Sequence, residues 1–270
     1  MSTASPSTGP RMTVQQVMDD RQMNSRRWLI VFLCFVVALL DGFDTQSIAF
    51  IGSSIAADFG MAATDMTWVI TASTIGMALG AMTLGSAGDR FGRKRTIIVA
   101  LTIFGVFSIL GAFAQTTWQI IALRFLIGLG MGGATPSLLA LVAEYSHQKR
   151  RGLSMSLVLL GLPGGALLGG VVAAEWLPIL GWRGMFLLGG VLPVIMIAVM
   201  FFCPEPPGYL VARGRPGDQT KARMLIHQAT KVPVDQSTAL VPELDGQSRG
   251  SIAALFDQKH RATTIAVGAV

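Results

Sequence analysis

Long apolar runs, separated by short polar loops, make up most of this chain. Six runs are long enough to cross roughly 30 Å of hydrocarbon, since a membrane helix needs about 20 residues. They are predicted at 28–52, 66–87, 96–114, 118–143, 153–174 and 184–203. A further apolar run begins at Ala262 and reaches the last residue, Val270. The pattern predicts an all-α membrane protein with a six-helix bundle and the first turns of a seventh helix.

The polar stretches divide the chain into parts. Residues 1–27 form a polar arm, and 28–203 form the predicted transmembrane bundle. Residues 204–261 contain several prolines among charged side chains, which indicates a linker, with short helices expected at 220–230 and 250–258. We interpret 262–270 as the start of a truncated seventh helix, so that the chain is expected to be the front half of a larger membrane protein.

The positions of the basic residues predict the orientation of the spans. Nearly all Lys and Arg lie in the arm, in the loops after the second and fourth spans, and in the linker, whereas the alternate loops 53–65, 115–117 and 175–183 contain only Arg183. Because basic loops remain in the cytoplasm, the N-terminus and the linker are predicted to be cytoplasmic. The net charge of +6 is spread over loops rather than gathered on one face, which argues against nucleic acid binding.

Composition supports a membrane protein and offers little metal or disulfide chemistry. Only 13% of the residues are charged, against about 25% in a soluble domain. Cys34 and Cys203 lie within or at the end of apolar runs, where they are expected to pack as small apolar side chains. No metal site and no cofactor is predicted, and the three histidines fall in predicted cytoplasmic segments.

Two aspartates inside the first span are the main functional signal. A carboxylate at the centre of a membrane helix costs about 2.5–3.5 kcal/mol, and Asp41 and Asp44, three residues apart, share one helix face. Counting helical rise places Asp44 at nearly the same depth as Arg124 of the fourth span. We expect these side chains to line one cavity in which the carboxylates carry a proton. The alternatives are that an aspartate caps a helix broken at Gly42, or pairs permanently with Arg124.

The loop after the second span carries a highly specific motif. Residues 85–95 match G-x-x-x-D-R-x-G-R-K-R at every fixed position. This loop resembles the signature loop of the major facilitator superfamily, and the Arg-and-Gly run that begins at Arg124 is similar to the span-four motif of that family. The resemblance implies a cytoplasmic gate. Because Glu144 lies near the cytoplasmic end of span four, it is expected to form a salt bridge with Arg90 or Arg93 rather than to contact the substrate. The predicted gate residues are Gly85, Asp89, Arg90, Gly92, Arg93 and Glu144.

Within that superfamily, the run Asp41-Gly42-Phe43-Asp44-Thr45 is similar to the span-one motif of the aromatic acid:proton symporters. The resemblance implies a bacterial inner-membrane protein, not an enzyme, that imports a 4-hydroxybenzoate, protocatechuate or benzoate type of acid with protons by alternating access. Its expected partners are a small aromatic acid anion, protons, the lipid bilayer and a missing C-terminal six-helix half.

Several alternatives remain open or are rejected. A proton-coupled efflux antiporter of the same superfamily is possible, and a half-transporter is expected to be inactive alone. An intramembrane aspartyl hydrolase is rejected, since its two aspartates come from separate helices. The G-x-G-x-x-G run at 128–133 lies inside a predicted span with no strand before it, which argues against a dinucleotide site. The glycine ladder at 161, 165 and 169 predicts close helix packing.

Overall fold

The computed structural model describes residues 11–14, 17, 23–203, 205–215, 217–230 and 239–241. In this part of the chain, eight helices and two short strands follow one another. Their bounds are β1 Arg11–Thr13, α1 Ser25–Phe59, α2 Ala63–Phe91, α3 Arg93–Gly111, α4 Thr117–Tyr145, α5 Gln148–Leu159, α6 Gly161–Phe202, α7 Pro207–Arg213, α8 Asp218–Thr230 and β2 Ala239–Val241. The predicted helices at 250–258 and 262–270 lie outside the described residues.

Six membrane-crossing segments arise from five long apolar helical stretches. The last stretch, Gln148–Phe201, has 54 residues, so a straight helix of that length would run about 80 Å and far exceed the hydrocarbon thickness. The chain breaks this helix at Gly181, whose φ of 64° and ψ of −177° are not helical. The segments before and after Gly181 are therefore the fifth and sixth spans. The predicted six-helix architecture is confirmed.

The helix ends differ from the predicted span limits. The first helix, α1, extends beyond 28–52 at both ends; at its start the Asn24 side chain accepts a hydrogen bond from the Arg27 backbone N–H at 3.1 Å. At the other end, α3 stops at Gly111 rather than at Ala114. The expected outer loop at 175–183 is helical as far as Gly181. Polar residues near the water boundary continue a helix without difficulty, so hydropathy alone misplaces these ends.

Glycines allow the spans to approach backbone to backbone. A Cβ on Gly165 would lie 1.9 Å from the Leu39 carbonyl oxygen, which places the first half of α6 directly on α1. A Cβ on Gly132 would lie 1.9 Å from the Met77 carbonyl oxygen, so α4 meets α2 in the same way. Small residues at such crossings are the usual basis of helix association in membranes. The packing predicted for the 161–169 ladder is found.

The centre of the bundle is formed by α4, with α2 at its margin. In its most apolar window, α4 is 61% buried inside the protein, against 17% for α2. The second half of α6 packs on α3, where a Cβ on Gly190 would lie 2.7 Å from the Ile109 backbone nitrogen. The helices that carry the predicted site residues, α1 to α4, are thus each held in position by a neighbouring helix.

A small assembly at one end joins the segments before and after the bundle. Strand β1 pairs in parallel with β2, and the Arg26 guanidinium donates to the Gln228 side chain at 2.8 Å. Between α7 and α8, Arg213 donates two hydrogen bonds to the Asp218 carboxylate, at 2.6 and 2.8 Å. The Arg213 guanidinium lowers the pKa of Asp218 to about 2. The helix predicted at 220–230 lies within α8, whereas α7 and the strand pair were not predicted.

Candidate functional site

A buried ion pair joins α1 to α4. The Arg124 Nη1 atom lies 2.8 Å from Asp44 Oδ2, and both side chains are nearly inaccessible, with 2% and 4% of their surfaces exposed. The depth estimate from the sequence placed these residues at about the same level, and the structure brings them together. A buried charge pair of this kind is weak evidence for stability, because desolvation opposes the attraction. Stability alone therefore does not account for this pair.

Asp41 has a different partner. The Thr135 hydroxyl of α4 donates to Asp41 Oδ2 at 2.9 Å. Asp41 Oδ1 is buried without a hydrogen-bond partner among the described residues. Asp41 and Asp44 are both buried on the side of α1 that meets α4, as their spacing predicted, but one carboxylate pairs with a cation and the other with a neutral hydroxyl.

The helix is not broken between the two aspartates. Residue Gly42 lies inside the continuous helix α1 and serves a packing function, since a Cβ at this position would lie 2.0 Å from the Leu162 carbonyl oxygen. The alternative in which an aspartate caps a broken helix at Gly42 is therefore wrong. The aspartates lie within regular helix and face a neighbouring span.

Arg124 also lies over an aromatic ring that the sequence did not predict. Its Cζ atom is 4.7 Å from the centroid of the Phe186 ring in α6, within the range of a cation–π interaction. The Arg124 Nε–H is buried without a hydrogen-bond partner among the described residues. The guanidinium therefore keeps at least one unused donor inside the bundle.

The site contains a fixed cation with an unused donor, a carboxylate paired to it and a second carboxylate with one unpaired oxygen. Carboxylates can gain and lose protons, and a guanidinium binds carboxylate anions through parallel N–H donors. Among the described residues, no group of histidine, cysteine or acidic side chains could hold a metal ion. Side chains of these types are able to exchange protons and to bind an anion.

Thr135 could have been found from the sequence. It lies eleven residues after Arg124, which is about three helical turns, so the two side chains share a face of α4. Phe186 offered no such signal, because one aromatic residue among many in an apolar span carries no pattern of its own.

Glycines of the signature loop shape the opposite end of the bundle. A Cβ on Gly85 would lie 3.1 Å from the Pro136 ring, and one on Gly88 would lie 3.0 Å from the Ser137 hydroxyl. Gly92 has a φ of +101° and lies against the Tyr209 ring of α7, so a side chain here would be both strained and crowded. The motif glycines thus permit the close approach of α2, α4 and α7.

The charged residues of the same loop differ in their contacts. Arg93 Nη1 lies 3.0 Å from Glu144 Oε1 at the end of α4, which is one of the two salt bridges considered for Glu144. Arg90 is exposed and lies over the Phe91 ring, with 5.6 Å from its Cζ atom to the centroid. Asp89 is placed in α2, but its side chain lies outside what the structure describes.

Further contacts at this end were not predicted. The Lys94 ammonium donates to the Phe201 carbonyl at 3.0 Å and also to the carbonyl of Cys203, at the C-terminal end of α6. The Tyr145 hydroxyl donates to the Glu205 backbone carbonyl at 3.0 Å. A cation beside the last carbonyls of a helix is favourable, so the basic loop also fixes the end of the sixth span.

At the other end of the bundle, polar contacts join the end of α1 to α6. Asp58 at the end of α1 accepts hydrogen bonds from the Trp182 indole at 2.7 Å and from the Arg183 guanidinium at 3.0 Å. The Arg183 Cζ atom lies 4.2 Å from the Trp182 ring centroid. The left-handed turn at Gly181 brings these side chains onto α1, so the tight turn between the fifth and sixth spans is anchored to the first.

Comparison with known proteins identifies the family. The chain is 33% identical to a 4-hydroxybenzoate transporter of Pseudomonas aeruginosa over 94% of its own length, and 31% identical to a gallate transporter of Pseudomonas putida over 97%. It covers 57% and 58% of those proteins, so it spans little more than half the length of these relatives.

Among solved structures, the partially occluded, inward-open xylose transporter XylE from E. coli superimposes with a TM-score of 0.67 at 22% identity, covering 76% of this chain and 55% of XylE. At this identity the match shows the fold alone. Residues 34–265 match the model of the Major Facilitator Superfamily. The chain is a multi-pass membrane protein that belongs to the major facilitator superfamily, a family of transporters and not of enzymes.

Proposed function

We propose that this chain is the N-terminal part of a secondary active transporter that imports an aromatic carboxylic acid together with protons. The observation that carries the proposal is the buried Arg124–Asp44 pair beside Asp41, in a chain whose relatives are named as 4-hydroxybenzoate and gallate transporters. We place the protein in the bacterial cell membrane with its N-terminus in the cytoplasm, on the distribution of basic residues.

The coupling follows from charge. An aromatic acid is an anion near neutral pH, and ionised Asp41 and Asp44 repel it. Protonation of one carboxylate removes this repulsion and loosens the hold of Asp44 on Arg124, so that the guanidinium can bind the incoming carboxylate. Release of the substrate restores the ion pair and expels the proton. Proton and anion then move together.

Alternating access requires a second six-helix half. Substrate sites of this fold lie between two six-helix halves, and the described bundle supplies one of them. We propose that the complete transporter closes its cytoplasmic side through the signature loop, with the Arg93–Glu144 salt bridge and the tight glycine contacts of α2 holding the closed arrangement. The second half supplies the remaining substrate contacts.

Uptake of labelled 4-hydroxybenzoate into membrane vesicles tests the proposal, with the complete product of the reading frame that contains these residues. We expect accumulation only when an inward proton gradient is imposed. Asp41→Asn and Asp44→Asn should each lower uptake by about tenfold or more, which corresponds to about 1.4 kcal/mol of lost coupling. Asp65→Asn is the matched control, since Asp65 lies in the first turn of α2 and accepts a hydrogen bond from the Ala62 backbone N–H.

The outcomes separate the alternatives. Full uptake by both variants would contradict a role for the carboxylates. Accumulation of substrate driven by an outward proton gradient would indicate an efflux antiporter instead. Competition by a panel of unlabelled acids, including gallate, protocatechuate and benzoate, would identify the preferred ring substitution. Absence of uptake from the 270-residue chain alone is the result expected if a second half is required.

A further inference from the structure

Arg124 has two partners that respond differently to a proton. The carboxylate of Asp44 loses its charge on protonation, and the ion pair at 2.8 Å then becomes an ordinary hydrogen bond. The Phe186 ring, 4.7 Å from the Arg124 Cζ atom, keeps its quadrupole at every pH. The two contacts come from different helices, α1 and α6, so either can persist when the other weakens.

The Phe186 ring is held firmly in place. Only 2% of this residue is exposed. A Cβ on Gly111 of α3 would lie 2.5 Å from the Phe186 Cδ1 atom, so the ring fills the space that this glycine leaves open. The Trp182 ring packs on it edge to face, with 5.9 Å between the centroids. The ring therefore stays fixed without any help from Arg124.

We propose that Phe186 is a positioning residue, which keeps the Arg124 guanidinium in the cavity while Asp44 is neutral and so presents the cation to the substrate carboxylate. This inference rests on the proposed function. An unpaired arginine inside a membrane protein moves toward water or another charge. The ring supplies an interaction that does not depend on protonation, and it leaves the N–H donors at the edge of the guanidinium available.

In the part of the chain that the structure describes, Asp44 is the carboxylate within ion-pair distance of Arg124. Asp41 lies one helical turn from Asp44 on α1 and accepts its hydrogen bond from Thr135 instead. From α3, the Ser108 hydroxyl donates to the Phe186 carbonyl at 3.0 Å. On α6, the Phe186 ring lies beside Arg124 and Gly189 lies beside the Asp44 carboxylate, whereas Arg183 is paired with Asp58.

Fluorinated phenylalanines test the electrostatic contact with almost no change of shape. Mono-, di- and trifluorophenylalanine are introduced at position 186 of the complete reading-frame product, because each fluorine weakens the quadrupole of the ring. We expect the KM for aromatic acid uptake to rise stepwise, by roughly 5- to 30-fold over the series. The same series at Phe104, a buried ring of α3, is the control and should leave KM unchanged. Equal KM values for phenylalanine and trifluorophenylalanine at position 186 would overturn the inference.

A second measurement requires no transport. Asp44→Asn imitates the neutral carboxyl, so in this background Arg124 depends on the ring. Phe186→Leu should then lower the thermal unfolding temperature in detergent more in the Asp44→Asn protein than in the wild type, whereas Phe104→Leu should lower it equally in both. Equal effects of Phe186→Leu in the two backgrounds would contradict the inference.

The two measurements distinguish the failure of each idea. Wild-type vesicles without proton-driven uptake would refute the proposed function, and the unfolding measurement would still test the pairing of the ring with Arg124. Uptake that is insensitive to fluorine at position 186 would refute the role of the ring and leave the symport proposal intact. If Asp44→Asn yields no folded protein, the fluorine series in the wild-type background decides.

Discussion

At the scale of single residues, the charged groups in the bundle are held by few hydrogen bonds. A guanidinium can donate five, yet Arg124 Nε has no described partner, and Asp41 Oδ1 likewise has none. A structural ion pair that served stability alone would be expected to satisfy these atoms, because unsatisfied buried polar groups are costly. The incomplete pairing is what a site needs if protons and an anion are to enter it.

The hydrogen bond from Thr135 to Asp41 can be tested by one substitution. Thr135→Val keeps the shape of the side chain but leaves Asp41 without this donor, which should cost about 1–3 kcal/mol of stability. Thr135→Ser retains the hydroxyl and should remain near the wild type. Thermal unfolding of the purified protein in detergent measures both, and an unchanged midpoint for Thr135→Val would show that the bond contributes nothing.

The same residues show how far sequence reasoning reaches. Asp41, Asp44 and Arg124 stand out because charge is rare in apolar spans, and helical rise was sufficient to place two of them together. Phe186 could not be found in this way, because aromatic residues are ordinary in such spans and only the fold shows which ring lies under the guanidinium. The functional roles assigned to all four residues stay predictions.

At the scale of elements, the approach of α6 to α1 depends on which face each glycine occupies. Gly165 and Gly164 are adjacent, yet a Cβ on the first would lie 1.9 Å from the Leu39 carbonyl oxygen, whereas a Cβ on the second would meet nothing within 4 Å. Periodicity alone identified the residues of the ladder, since a spacing of four keeps residues on one side of a helix.

This pair of neighbours provides a matched experiment. Gly165→Ala forces α6 away from α1 and should cost about 1–3 kcal/mol, the usual range for overpacking. Gly164→Ala gains the same helix propensity without a clash and should be as stable as the wild type or slightly more so. Unfolding temperatures in detergent compare the two; equal destabilisation would mean that the contact with Leu39 relaxes freely.

The signature loop offers a test of the salt bridge between α3 and α4. Glu144→Arg places like charges together at the Arg93 contact and should reduce both folded yield and uptake. Adding Arg93→Glu should restore part of the loss, by about 0.5–3 kcal/mol of coupling in a double-mutant cycle. Adding Arg90→Glu is the control, because Arg90 is exposed and lies over Phe91 instead. Rescue by Arg90→Glu but not by Arg93→Glu would contradict the assignment.

Hydropathy located every span, because a length of about 20 apolar residues is a strong signal. It did not locate the ends, since α1 extends to Phe59. Asp58 falls in a predicted loop, yet it lies in the last turn of α1 and accepts a hydrogen bond from Trp182. Short elements such as α7 and the strand pair escaped prediction, since three to seven residues carry little periodic pattern and depend on tertiary contacts.

At the scale of the whole molecule, the orientation in the membrane is open to direct measurement. In a background with Cys34→Ala and Cys203→Ala, a cysteine at Gln115 should react with a membrane-impermeant maleimide in intact cells. A cysteine at Lys149 should react only after the cells are broken, since the basic loops are predicted to be cytoplasmic. Both positions are exposed in the structure, so a failure to react reports orientation rather than burial. The opposite pattern would reverse the topology.

The strand pair also has a consequence for biogenesis. Strand β1 is synthesised before any span, whereas its parallel partner β2 leaves the ribosome only after all six spans. The arm must therefore wait unpaired while the bundle enters the membrane, and the pairing can form only behind a completed set of crossings. Closing so long a loop adds little further entropy cost, because that cost grows only with the logarithm of loop length. The pairing of β1 with β2 therefore forms only after all six spans have been synthesised.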